Sequence, residues 1–162
     1  MNRRSFILTI LATGFFIANA TLAPDLGTAQ ADKVKTAMAD LKARAEKIGA
    51  PKVEGKDLYF GTTKASNDIV DAVVKAQGGA ASLLVKSGGQ YVRVATTLKQ
   101  EDGTSAVGTP MDVKKAANSR LNNGEAYYGD ATVFGKSYDA GYEPIKDASG
   151  AVIGAYFVGQ PK

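Results

Sequence analysis

The chain contains no cysteine, no histidine and no tryptophan. Without cysteine there is no disulfide, no thiolate nucleophile and no Cys-based zinc site. Without histidine there is no imidazole base and no imidazole ligand for zinc or haem. Serine and lysine remain, but they fall in no nucleophile elbow and no Ser-x-x-Lys pattern. Glu101-Asp102 precedes Gly103 and reads as a turn before it reads as a metal pair. Met38 and Met111 offer no paired haem ligand. An enzyme is therefore not expected, and neither is a cofactor. An excess of one charge is also lacking: 20 Lys and Arg stand against 16 Asp and Glu, a net +4. No basic run exceeds Arg3-Arg4 or Lys114-Lys115, so the stripe that marks a nucleic-acid surface is missing. What is present is ordinary for one globular domain: 162 residues, 44% hydrophobic and 22% charged.

One long apolar run, FILTILATGFFIANATLA at residues 6–23, follows the positive pair Arg3-Arg4. Small residues at −3 and −1 occur twice after it, in Ala18-Asn19-Ala20 and Ala29-Gln30-Ala31. This is the layout of a secretory signal. Cleavage is expected after Ala31, because Pro24 and Gly27 break the run and a new helical pattern starts at Asp32. Residues 1–31 are read as signal peptide and 32–162 as one domain. Asn2-Arg3-Arg4-Ser5-Phe6-Ile7 also looks like the twin-arginine export motif, without its leading Ser/Thr and its later Lys. The Sec and twin-arginine routes both stay open, and both place the mature protein in the periplasm or outside the cell. An uncleaved anchor is the third reading, weakened by Gly14, Asn19 and three Thr.

The rest of the chain divides into periodic segments. Val34, Met38, Leu41, Ala45 and Ile48 recur at steps of four and three, which predicts a helix over 32–48 with one apolar stripe. Residues 57–61 predict a short strand, and 68–77 a second helix capped by Ser66 or Asn67. Residues 82–86 and 90–98 predict a hairpin about Ser87-Gly88-Gly89. A short helix is expected over 113–122, capped by Asp112, then strands over 126–134, 137–145 and 152–159. Strands joined by tight turns are antiparallel. The fold class is α+β, with an antiparallel sheet of about five to six strands and helices layered on it.

The second half carries a resemblance. Its pieces are Tyr91-Val92-Arg93-Val94, Asp102-Gly103, Gly108-Thr109, Gly124-Glu125-Ala126-Tyr127-Tyr128-Gly129 and Gly135-Lys136-x-Tyr138. They continue with Gly141-Tyr142-Glu143-Pro144-Ile145, Asp147-Ala148-x-Gly150-x-Val152-Ile153-Gly154 and Val158-Gly159. In this order and spacing, over residues 82–160, they resemble the Cache sensory domains, of the single-Cache and Cache-3/Cache-2 fusion type found in methyl-accepting chemotaxis receptors. The resemblance implies a PAS-like antiparallel sheet with a long N-terminal helix packed on it. It also implies ligand binding in extracytoplasmic signalling or chemotaxis. In receptors a second membrane helix and cytoplasmic modules follow. Here the sequence stops at Lys162, so a stand-alone exported protein is expected, working with a membrane receptor or kinase.

The candidate ligand residues are Arg93, Tyr91, Arg120, Tyr128, Lys136, Tyr138 and Tyr142. Alternation places Tyr91, Arg93, Ala95 and Thr97 on one face of their strand and Val92, Val94 and Leu98 on the other, as core. A guanidinium in an apolar strand clamps a carboxylate, or else forms an internal ion pair with a residue such as Glu143 or Asp139. Tyr138 and Tyr142 share a face, and only one of Tyr127 and Tyr128 joins them. Tyrosine supplies a flat wall with a hydroxyl at its tip; cross-strand aromatic packing is the alternative. Lys136 in its turn and Arg120 on the short helix add positive charge, or are simply solvated. The reading is a small organic anion, such as a carboxylate, bound outside the cytoplasm. A protein-docking module with no ligand, or an anchored receptor fragment, are the competing readings.

Overall fold

The computed structural model describes residues 26–112 and 115–162. Most of the expected export signal, and positions 113 and 114 of the expected short helix, lie outside the described residues. Helix α1 (Leu26–Ile48) carries the stripe: Val34, Ala37, Met38, Leu41 and Ala45 are all buried. Ile48, expected in that stripe, is instead exposed, in the last residue of the helix. The helix starts before Asp32 and includes Gly27, where a break was expected; glycine near a helix start lowers propensity by only about 1 kcal/mol. Strands β1 (Pro51–Glu54), β2 (Asp57–Phe60) and β3 (Thr63–Lys64) form a small antiparallel sheet, in which Leu58 and Phe60 are buried. Helix α2 (Asn67–Gln77) buries Ile69, Val70 and Val73.

The main sheet has five antiparallel strands in the order β5-β4-β8-β7-β6, namely β4 (Ala80–Ser87), β5 (Gln90–Thr96), β6 (Tyr127–Val133), β7 (Lys136–Lys146) and β8 (Val152–Pro161). The short helix α3 (Ala116–Asn122) has Lys115 at its N-cap. The fold is thus α+β and PAS-like, with the long helix on the sheet. The short strand over 57–60 belongs to the separate small sheet. Pro144 is tolerated in β7 because β6 stops pairing opposite Tyr142, which leaves β7 an edge at that point.

Both faces of the main sheet are covered. On one, α1 and α2 pack against Leu83, Val85, Tyr156 and Val158. On the other, α3 and the loop after β5 cover Leu84, Tyr91, Tyr138, Tyr142 and Phe157. A bulge in β4–β5 changes the side that follows it: Leu84 pairs with Arg93, but Leu83 pairs with Ala95. Tyr91 therefore keeps to the α3 side while Ala95 joins the α1 cluster. The expected alternation fails there, and Val92 and Val94 are only partly buried. Gly154 is held to glycine by proximity, since a Cβ on it would lie 2.2 Å from the Leu84 carbonyl oxygen.

Candidate functional site

The α3 side of the sheet holds a cavity of about 270 Å3 between α3 and β6, walled by Lys115, Ala117, Tyr127, Asp130, Thr132 and Tyr142. At about 30 Å3 for a water's share of liquid volume, this is room for a small organic molecule. Lys115 Nζ donates across it to the Thr132 carbonyl. The Tyr142 ring packs tilted on Phe157, 4.8 Å between centroids, and beside Tyr127 at 6.2 Å. Its hydroxyl is buried and has no hydrogen-bond partner among the described residues. Burial pushes the Tyr142 hydroxyl up to about 12, so it is a neutral donor at physiological pH.

Arg93 is not part of this wall and is only 4% exposed, but it interacts electrostatically with two wall residues, Tyr142 and Lys115. Its NH1 donates to the Thr109 carbonyl and hydroxyl and to the Pro110 carbonyl, at 3.1–3.4 Å. Its Nε is buried and has no partner among the described residues. Its Cζ stands 5.1 Å from the centre of the Phe134 ring. Among the described residues no carboxylate pairs with it. The internal partners considered are engaged elsewhere: Glu143 with Lys42 at 2.6 Å and Asp139 with Lys162 at 3.0 Å. Burial lowers the Arg93 pKa, opposed by Tyr142. Lys115 is lowered too, by burial and by the nearby Arg93, with Asp112 acting the other way. Arg93 and Lys115 are thus two desolvated cations close enough to interact, with Asp112 acting on Lys115 and with Asp130 of the cavity wall paired to Lys162.

The remaining candidates divide by face. Tyr91 is fully buried on the α3 side, and its hydroxyl donates to Asn122 Oδ1 at 3.2 Å. Tyr138 is on the same side, nearer the end of the hairpin, beside Asp130 and Lys162. Tyr128 is on the opposite face: its hydroxyl donates to Glu143 Oε1 at 2.6 Å, against α1. The tyrosine that joins Tyr142 is Tyr127, directly across the ladder. Lys136 is exposed at the start of β7 and does not wall the cavity. Arg120 points outward and pairs with Glu125 at 2.7 Å. Sequence reasoning missed Lys115 and Phe134, and of the pair Tyr127 and Tyr128 it took Tyr128 as the candidate where Tyr127 stands across from Tyr142. Lys115 had a signal, since it immediately precedes an amphipathic helix facing the tyrosine strands. Asn118 had none; it is buried on α3 with its Oδ1 unpartnered among the described residues.

Comparison with known proteins fits this architecture. Residues 18–162 match the family model described as the Cache 3/Cache 2 fusion domain. Among solved structures, the chain is similar to the sensor domain of DcuS from E. coli, with a TM-score of 0.51 at 16% identity, covering 83% of this chain and 90% of that one. At that identity the likeness is one of fold. No curated protein matches the chain.

Proposed function

The chain belongs to the Cache 3/Cache 2 fusion domain family, a sensory and non-catalytic family, and we propose that it is an extracytoplasmic domain binding a small organic anion such as a carboxylate. The observation that supports this reading is the buried Arg93 with no carboxylate partner among the described residues, interacting electrostatically with Lys115 and Tyr142 of the cavity wall. A carboxylate entering the cavity takes hydrogen bonds from the Tyr142 hydroxyl and from Lys115, which gives up its bond to Thr132. Arg93, outside the wall itself, adds its charge, and the low dielectric around it strengthens the attraction. Tyr91 and Tyr138 extend the apolar wall. Residues 1–31 act as the export signal, and the bound state is read by a membrane receptor or kinase in signalling or chemotaxis.

The test is a thermal-shift panel of acetate, lactate, succinate and citrate. An acid at 100 times its dissociation constant stabilises the fold by about 2.7 kcal/mol. Lys115→Gln is expected to fold normally and to lose most of that shift. If no acid moves the melting curve, the anion reading fails and a docking module without a ligand takes its place.

A further inference from the structure

The turn joining β6 to β7 has two residues, Phe134 and Gly135, since Val133 pairs with Lys136. Both have positive φ, 48° and 73°. That is the backbone of a type I′ hairpin turn, which is ordinarily filled by Asn-Gly or Asp-Gly. Phe134 is the one non-glycine residue with positive φ among the described residues. A bulky side chain in that region is strained, and such strain persists where the surroundings hold it in place. The turn itself has no use for an aromatic ring, because asparagine fits the same backbone.

The ring's position supplies the use. It packs against the α3-side cluster with its face toward the Arg93 guanidinium, 5.1 Å away. From another direction the 109–110 loop accepts the NH1 hydrogen bonds. The guanidinium is therefore gripped by a strand neighbour's loop and by a hairpin tip, and no carboxylate among the described residues neutralises it. A ring attracts a cation through its quadrupole and leaves the formal charge intact. A carboxylate in the same place would compete with an incoming anion. We propose that Phe134 is a positioning residue for the anion site, retained in an unfavourable turn because its ring fixes the Arg93 guanidinium while leaving its charge uncancelled. This rests on the anion reading above for its purpose, but not for its geometry.

The experiment separates the two. In 15N-labelled protein without ligand, the Arg93 Nε–H resonance, assigned by its loss in Arg93→Lys, is shifted upfield by the ring. Phe134→Asn is expected to relieve the turn and raise Tm by a few degrees, to move that resonance back to the ordinary arginine position, and to weaken lactate or succinate binding by roughly tenfold. Phe134→Leu, which keeps apolar bulk without a ring, moves the resonance and the affinity in the same way. Phe134→Tyr keeps both near the wild-type values. An Arg93 resonance unchanged in Phe134→Asn and Phe134→Leu overturns the proposal, as does acid affinity unchanged in both. If the wild type binds neither acid while the resonance moves as expected, the anion reading falls and the positioning of Arg93 by Phe134 stands.

Discussion

Glu143 accepts hydrogen bonds from Lys42 Nζ and Tyr128 Oη, both at 2.6 Å. Burial alone would raise its pKa, but these two donors together hold it below the usual carboxylate range. A carboxyl depressed in the folded state contributes stability above its unfolded pKa and loses it as pH falls through the folded value. Glu143→Gln is therefore expected to lower stability at pH 7 by about 1 kcal/mol, since the pair is partly exposed, and the gap to wild type should narrow as pH falls below the ordinary carboxylate range. Urea melts at pH 7 and pH 3.5 measure it. On the other face, Tyr128→Phe should leave any acid-induced shift unchanged and Tyr142→Phe should reduce it. Equal shifts in the two variants would remove Tyr142 from the site. That Arg93 is a charge set in an apolar strand was legible; that it is buried there without a carboxylate among the described residues was not. Which of Tyr127 and Tyr128 faces it was not, because alternation gives opposite faces without saying which face is which. The engagement of Glu143 and Asp139 by lysines from α1 and from the end of the chain is a tertiary matter that no local pattern carries.

The buried face of α1 from Val34 to Ala45 was legible because a stripe at steps of three and four has one physical outcome when a sheet is available to cover it, whereas the helix start at Leu26 and the exposure of Ile48 were not. Met38 and Leu41 are buried to within 1%. Either one replaced by Asp would put an unpaired charge in that seam, and a loss of about 4 kcal/mol or more is expected in chemical denaturation. Gly154→Ala would push a Cβ against the Leu84 carbonyl and separate β4 from β8, so a loss of similar size is expected there. Strands β1 and β3 were missed because they are short, with lysines among their few residues and little burial to impose a pattern. The bulge between Leu83 and Leu84 was missed for a different reason: both leucines are buried, on opposite faces, so hydrophobicity does not register the change of side.

At the scale of the molecule, cleavage after Ala31 would remove the first turn and a half of α1 and the Gln30 contact to the Pro161 carbonyl, while the buried stripe begins only at Val34. Mass spectrometry of exported protein is expected to find an N-terminus at Asp32. Full-length chain held in washed membranes would instead support the anchored form. The arrangement of the sheet has a kinetic consequence. Strand β8, residues 152–161, lies in the middle, flanked by β4 and β7. The helices that come first in the chain rest on side chains that come last, Tyr156 and Val158 among them. Closure must therefore join distant stretches of chain, and refolding in the range of milliseconds to seconds is expected in a stopped-flow experiment. A chain emerging N-terminus first cannot join β4 to β7 until residues 152–161 are available, and until then both of those strands present unpaired edges to solvent.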